Sequence, residues 1–207
     1  MSLRDATPGD ALLEAASACA DRIRRLADHL VGAELNVDAL DRLTLRLDEA
    51  LDDLAPFLPA RGGASREEVN RAVGAVHGVA NAFAPPLAIT HLPDRAEGRC
   101  VLTRVHEGPA GFAHGGVGGL LLDELCAQVP EFLGKERVTV AMTVNYRRPV
   151  PLRRELLLVA RLRPDDGLVE ATLAAEARPE ETLMRAEAKL VQLRPDQVER
   201  IRRSADR

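Results

Sequence analysis

Aromatic side chains are nearly missing from this chain. They make up 2% of its 207 residues, with no Trp and a single Tyr, Tyr146, which excludes stacking platforms for single-stranded nucleic acid. Cysteine is scarce: Cys19, Cys100 and Cys126 are odd in number and far apart, so neither a CxxC metal site nor a disulfide framework is expected. Serine stands only at Ser2, Ser17, Ser65 and Ser204, so G-x-S-x-G and the serine chemistry of α/β-hydrolases are absent. His29, His77, His91, His106 and His114 form no HxxxH pair, and no metal site is expected. No GK[ST] follows a glycine run, which excludes a P-loop. The chain has no apolar run of about 18 residues, so no membrane span is expected. The acidic start MSLRDATPGD lacks the apolar region of a signal peptide, which leaves a cytoplasmic location as the default.

What is present is ordinary for a globular protein: 46% hydrophobic and 29% charged residues. The net charge of −4 does not favour binding to DNA or anionic membrane. The charge is uneven. Residues 1–60 hold 6 basic and 12 acidic side chains, a net of −6, whereas residues 135–163 hold 8 basic and 2 acidic, a net of +6.

Two amphipathic helices are expected first. Over residues 10–31, Leu12, Leu13, Ala16, Ala20, Ile23, Leu26, Ala27 and Leu30 recur at helical spacing. Over 38–55, Leu40, Leu43, Leu47, Leu51 and Leu54 do the same, with Asp38 as the cap and Pro56 and Pro59 as stops. The chain therefore divides into a helical arm (1–60), a linker with a short helix at 66–80 (61–80), a main domain (81–194) and a charged tail (195–207). In the main domain, strands are expected at 87–91, 99–106, 138–146, 154–163, 168–178 and 183–193, with Asp165-Asp166-Gly167 as a hairpin turn. One segment breaks this series: residues 115–129, GGVGGLLLDELCAQV, read as a helix apolar nearly all round. The order is two strands, a buried helix and four strands. That is an α+β pattern in which an antiparallel sheet wraps one central helix.

Asp123 and Glu124 sit inside this apolar helix. Unpaired burial of a carboxylate costs several kcal/mol, and neighbours on a helix differ by about 100°. The two must occupy different surroundings, one lining a cleft and the other reaching solvent or a partner. Just before them, EGPAGFAHGGVGG (107–119) holds six glycines. Glycine starts helices poorly unless something approaches the backbone closely. Free N–H groups at such a start, those of Gly115 and Gly116, are donors for a developing oxyanion. Cys126, one turn beyond Asp123, carries no sign of activation and reads as a small buried side chain.

His114-Gly115-Gly116 followed by Asp123, the flanks Glu107-Gly108-Pro109 and Leu121-Leu122-Asp123-Glu124, and Thr139–Pro151 (TVAMTVNYRRPVP) resemble the hot-dog acyl-CoA thioesterases of the PaaI and thioesterase-superfamily-member type. The resemblance covers residues 81–194. It implies the hot-dog fold and hydrolysis of acyl-CoA to free acid and coenzyme A, with no cofactor, since coenzyme A is part of the substrate. It also implies roles: Asp123 as nucleophile or general base, the Gly115 N–H on the thioester carbonyl, His114 beside it, and Thr139 near the carboxylate. Gly116, Phe112 and Asn145 would contact substrate, and Arg147, Arg148 and Arg153 would hold coenzyme A phosphates. Gly115 and Asp123 are eight residues apart, about 12 Å along a helix. One carbonyl therefore cannot touch both in one subunit, and a homo-oligomer, dimer or dimer of dimers, is expected. No nucleic acid or membrane partner is expected. The sequence departs from its relatives where some carry an amide side chain before His114; here only His106 or Glu107 is available as a replacement. The alternative to catalysis is a hot-dog dimer that binds acyl-CoA or a protein partner without turnover.

Overall fold

A computed structural model of the chain describes residues 11–57, 74–85 and 87–204. The arm consists of α1 (Ala11–Gly32) and α2 (Val37–Leu54), as the leucine spacing requires. The cap of α2 is Asn36 rather than Asp38: its side-chain oxygen accepts the Ala39 N–H at 2.9 Å. Asp38 instead lies in the first turn, near the positive end of the helix dipole. The first part of the expected linker, residues 61–73, and with it the start of the expected short helix, lie outside the described residues. Residues 74–80 form turns, not helix.

Six strands follow: β1 (Ala88–Leu92), β2 (Arg95–Val101), β3 (Arg137–Tyr146), β4 (Glu155–Leu162), β5 (Val169–Ala175) and β6 (Thr182–Gln192). They form one antiparallel sheet in the order β1-β2-β4-β5-β6-β3. The strand expected at 99–106 is displaced. A turn at Pro93-Asp94 lets β2 begin at Arg95, and the chain leaves the sheet after Val101. Arg104–His106 then form a 3-10 turn. The β4–β5 hairpin turns at Asp165-Asp166-Gly167 as expected, with Gly167 at φ +69°. The charged tail carries α4 (Pro195–Ser204).

The central helix is α3 (Gly115–Ala127), which lies across β2 to β6. Period-two alternation turns Leu156, Leu158 and Ala160 of β4, Val169, Ala171 and Leu173 of β5, and Ala186, Ala188 and Leu190 of β6 toward it. Leu121, Leu122, Leu125 and Cys126 fill the gap from the helix side, all with no exposed surface. The fit depends on missing side chains. A Cβ on Gly118 would collide with the Met184 sulfur, and one on Gly98 of β2 would lie 2.9 Å from Leu87 and 3.3 Å from Leu125. Within the 115–119 run, Gly118 and Gly115 thus serve close approach of helix to sheet, the need that offsets their poor helix propensity.

The opposite face of the sheet is polar. Arg99 pairs with Glu97 and Glu176, Arg163 with Asp166 and Glu187, and Arg185 with Glu170 and Glu187. The core prediction is specific. Leu122→Ala should cost about 2–5 kcal/mol of unfolding free energy, whereas Leu45→Ala on α2, where Leu45 is 64% exposed, should stay within about 0.5 kcal/mol. Urea denaturation of the two variants checks this.

Candidate active site

The face of α3 turned away from the core is small and sparsely covered. Gly116, Leu120 and Ala127 are exposed along it, and Asp123 is half-buried. Beside it runs β3, the last strand of the sheet. Its outer edge pairs with no strand among the described residues, and Val138, Val140 and Tyr146 are 38%, 53% and 61% exposed.

Strict alternation along β3 would turn Val138, Val140, Met142 and Val144 toward α3 and Thr139 away from it. The strand does otherwise. Thr139 lies opposite Leu190 of β6, and Ala141 lies opposite Lys189, so Val140 is an extra residue in a β-bulge. Directly opposed residues share a face, and Leu190 is a core residue. Thr139 therefore faces α3 together with Met142. Its hydroxyl donates to Asp123 Oδ1 at 2.8 Å. The other carboxylate oxygen makes no hydrogen bond among the described residues.

Asp123 and Glu124 separate as the helix geometry requires. Glu124 turns the other way, where its Oε1 lies 3.0 Å from His77 Nδ1 and accepts from the Gln128 amide at 2.9 Å. Gln128 is in turn 3.3 Å from His91. This polar chain was not expected from sequence, because His77 and His91 stand far from Glu124 along the chain and carry no motif.

At the other end of α3, His114 is the N-cap. Its Nδ1 accepts the Gly116 N–H at 3.0 Å, which places any ring proton of the neutral form on Nε2. The Gly116 N–H is thus occupied, while the Gly115 N–H has no acceptor among the described residues. The Tyr146 ring lies against Gly115, where a Cβ would come within 2.8 Å of it. His114 is held from behind by its own N–H, which donates to the His106 carbonyl at 2.8 Å.

The remaining expected residues are spread out. Phe112, 38% exposed, sits in the loop before α3 and bridges to Pro151. Asn145 lies opposite Arg185, on the polar face of the sheet, and is not brought to Asp123. Arg147 and Arg148 follow the end of β3, both with their N–H groups on the Leu183 carbonyl. Arg153 has φ +56° and pairs with Asp28 of α1 at 3.2 Å. The basic surplus of residues 135–163 is therefore not one patch. Arg137 stacks on Phe132 at 4.0 Å, Arg161 faces Asp94 and Arg163 faces Asp166. His106 and Glu107, the two possible replacements for a missing amide, are both engaged in the loop. His106 Nδ1 accepts the Thr103 N–H at 3.0 Å, and Glu107 accepts the Gly111 N–H at 2.6 Å. Burial holds the His106 ring below the usual histidine range. Among the described residues, no group of three His, Cys, Asp or Glu could hold a metal ion, and no helix is long and apolar enough to cross a membrane.

No family model matches the chain, and no curated protein matches it. Solved structures do. A thioesterase superfamily protein superposes with a TM-score of 0.75 at 25% identity, covering 86% of this chain and 90% of that one. The fold is the hot-dog fold of thioesterase superfamily proteins. Hot-dog proteins of smaller extent match about half of the chain. PaaI of E. coli, from the phenylacetic acid degradation operon, gives a TM-score of 0.48 at 18% identity over 53% of this chain and 80% of that one. A hypothetical thioesterase protein of Streptococcus pneumoniae, solved with coenzyme A, gives 0.46 at 16% over 52% and 85%.

The cysteines of this hot-dog chain differ sharply. Burial pushes the thiols of Cys100 and Cys126 up to about 12, whereas Cys19 on α1 is exposed. A disulfide reagent at mildly alkaline pH should therefore titrate one thiol per native chain. After denaturation it should titrate all three cysteines of the sequence.

Proposed function

We propose that the protein hydrolyses acyl-CoA thioesters to free acid and coenzyme A, as a homodimer with two equivalent sites. The observation that carries this reading is the Thr139 hydroxyl on Asp123 Oδ1 at 2.8 Å. That bond fixes a carboxylate on an open helix face and leaves its second oxygen for chemistry. The likeness to a thioesterase superfamily protein along nearly the whole chain supports the reaction class.

The chemistry follows from the groups available. The free oxygen of Asp123 either removes a proton from water, whose hydroxyl adds to the thioester carbon, or adds to that carbon itself. The carbonyl oxygen becomes an oxyanion, which a free N–H at a helix start stabilises. The C–S bond then breaks, and the coenzyme A thiolate takes up a proton. In the water route that proton comes from Asp123. In the covalent route water cleaves the mixed anhydride and regenerates the carboxylate.

Gly115 and Asp123 stand eight residues apart on α3, about 12 Å, so the oxyanion donor is the partner's Gly115. The dimer forms along β3. Ten residues of open strand edge bearing Val138 and Val140 are an unstable surface for an isolated chain, and pairing two such edges antiparallel sets two α3 helices side by side. Coenzyme A phosphates are held by Arg147 and Arg148, beyond the end of β3.

Asp123→Asn should lower kcat on acyl-CoA by at least about 10²-fold while leaving the fold and the dimer intact. Thr139→Val should lower it by a smaller factor. Release of coenzyme A thiol reads both, and saturable acyl-CoA binding without any turnover by the wild type would instead mean a binding protein. Val140→Lys, which puts a charge on the open edge, should yield monomers in sedimentation and lose activity in parallel. In a single turnover in heavy-oxygen water, label in the Asp123 carboxylate establishes the covalent route, with water cleaving the anhydride at the Asp123 carbon.

A further inference from the structure

Polar contacts tie helix α1 to the hot-dog domain at its margins. Arg24 donates to the carbonyls of Val79, Asn81 and Ala84 at 3.1, 2.8 and 3.2 Å. One turn on, Asp28 accepts the Arg104 N–H at 2.8 Å and pairs with Arg153. Arg104 in turn donates to the Gly32 carbonyl at 2.9 Å. Ala20 is the only residue α1 buries. A helix held at its margins in this way spans a gap, and a cavity of about 750 Å³ lies beneath it. Its volume is in the range of small-molecule sites.

The lining explains why the gap stays open. Ala18 and Ala27 of α1 and Ala84 are too small to fill it, and Val105, Val117 and Leu120 form the facing wall. Most of the charged groups at its margin are engaged: Arg24 with Asp21 and the carbonyls, Asp28 with Arg104 and Arg153, Arg22 with the Ala18 carbonyl, while Arg25 and His29 are exposed to solvent at its rim. Burial holds the His106 ring that borders it below the usual histidine range. The interior therefore suits an uncharged aliphatic group.

The cavity lies next to the site. Leu120 lies on α3 between Gly116 and Asp123, one turn from each. His106, on the cavity wall, carries the His114 cap on its carbonyl.

We propose that this cavity is the acyl chamber of the site, that it takes the aliphatic tail of a medium- or long-chain acyl group, and that α1 sets the chain length accepted. The inference rests on the acyl-CoA reading above. Each methylene placed in it should raise kcat/KM roughly three- to fourfold until the chamber is full.

The test uses the full chain and a series from butanoyl- to hexadecanoyl-CoA. Ala27→Phe, on α1, should lower kcat/KM for dodecanoyl-CoA at least tenfold and leave butanoyl-CoA within twofold. Val105→Phe, on the opposite wall, should do the same, which guards against a variant that merely undocks the helix. Equal losses on both chain lengths in folded variants, or no loss on either, would overturn the proposal while leaving the hydrolase reading standing. If the wild type hydrolyses no acyl-CoA, that reading fails by itself. Binding of a fluorescent fatty-acid analogue then tests the chamber directly: a tenfold weaker affinity in both variants supports it, and unchanged affinity overturns it.

Discussion

Everything in this molecule depends on how closely α3 approaches the sheet. The helix can sit where it does because side chains are missing at the points of contact: Gly118 over Met184, Gly98 under Leu125, Gly115 against Tyr146. With Ala160, Ala171, Ala186 and Ala188 lining the sheet below it, α3 sinks until one side is wholly buried. The other side is then only just at the surface. Asp123 is carried to that boundary, half-buried and still reachable by a substrate. A helix set further from the sheet would put the carboxylate in open solvent, beyond the reach of Thr139.

The Thr139 contact shows what the sequence made legible and what it did not. The succession of strands follows from period-two patterning, the hairpin at Gly167 from its turn residues and the buried helix from an apolar segment without a polar face, because in each case one physical requirement dominates. The bulge at Val140 has no such signature. TVAMTV alternates well, and taken literally it turns Thr139 away from α3. The register is decided by β6, whose Leu190 and Lys189 face opposite ways and oppose Thr139 and Ala141. A one-residue slip in a strand is settled by its neighbour across the sheet, information that local periodicity lacks. The beginning of β2 was missed for the converse reason: the Pro93-Asp94 turn is short, and the strand beyond it carries Arg95, Glu97 and Arg99 on the polar face, which dilutes its apolar signal.

Charge was the least legible feature. The excess of arginine in residues 135–163 suggests an anionic ligand, but most of those side chains are committed within the fold. Arg161 and Arg163 face carboxylates on the sheet surface, Arg137 covers Phe132, and Arg153 reaches back to Asp28 in the arm. The partners come from distant parts of the chain, so a count along the sequence cannot find them. Arg153 illustrates the point: it stands near Arg147 and Arg148 in sequence, and it pairs with Asp28 of α1.

That fastening gives the arm a physical logic of its own. An apolar interface between α1 and the domain would have closed the gap above Val117 and Leu120. Directional hydrogen bonds donated by Arg24 and accepted by Asp28 hold the helix at a fixed distance without filling the space beneath it. Such bonds are each worth only about 0.5–1.5 kcal/mol net, up to about 3 where a charged group takes part. They therefore secure the helix without making its position immovable. The minimal hot-dog unit supplies the carboxylate, the helix start and the open edge. What it does not supply is a wall on the far side of Leu120, and a separate helix propped on polar struts provides one while adding little apolar packing to the core.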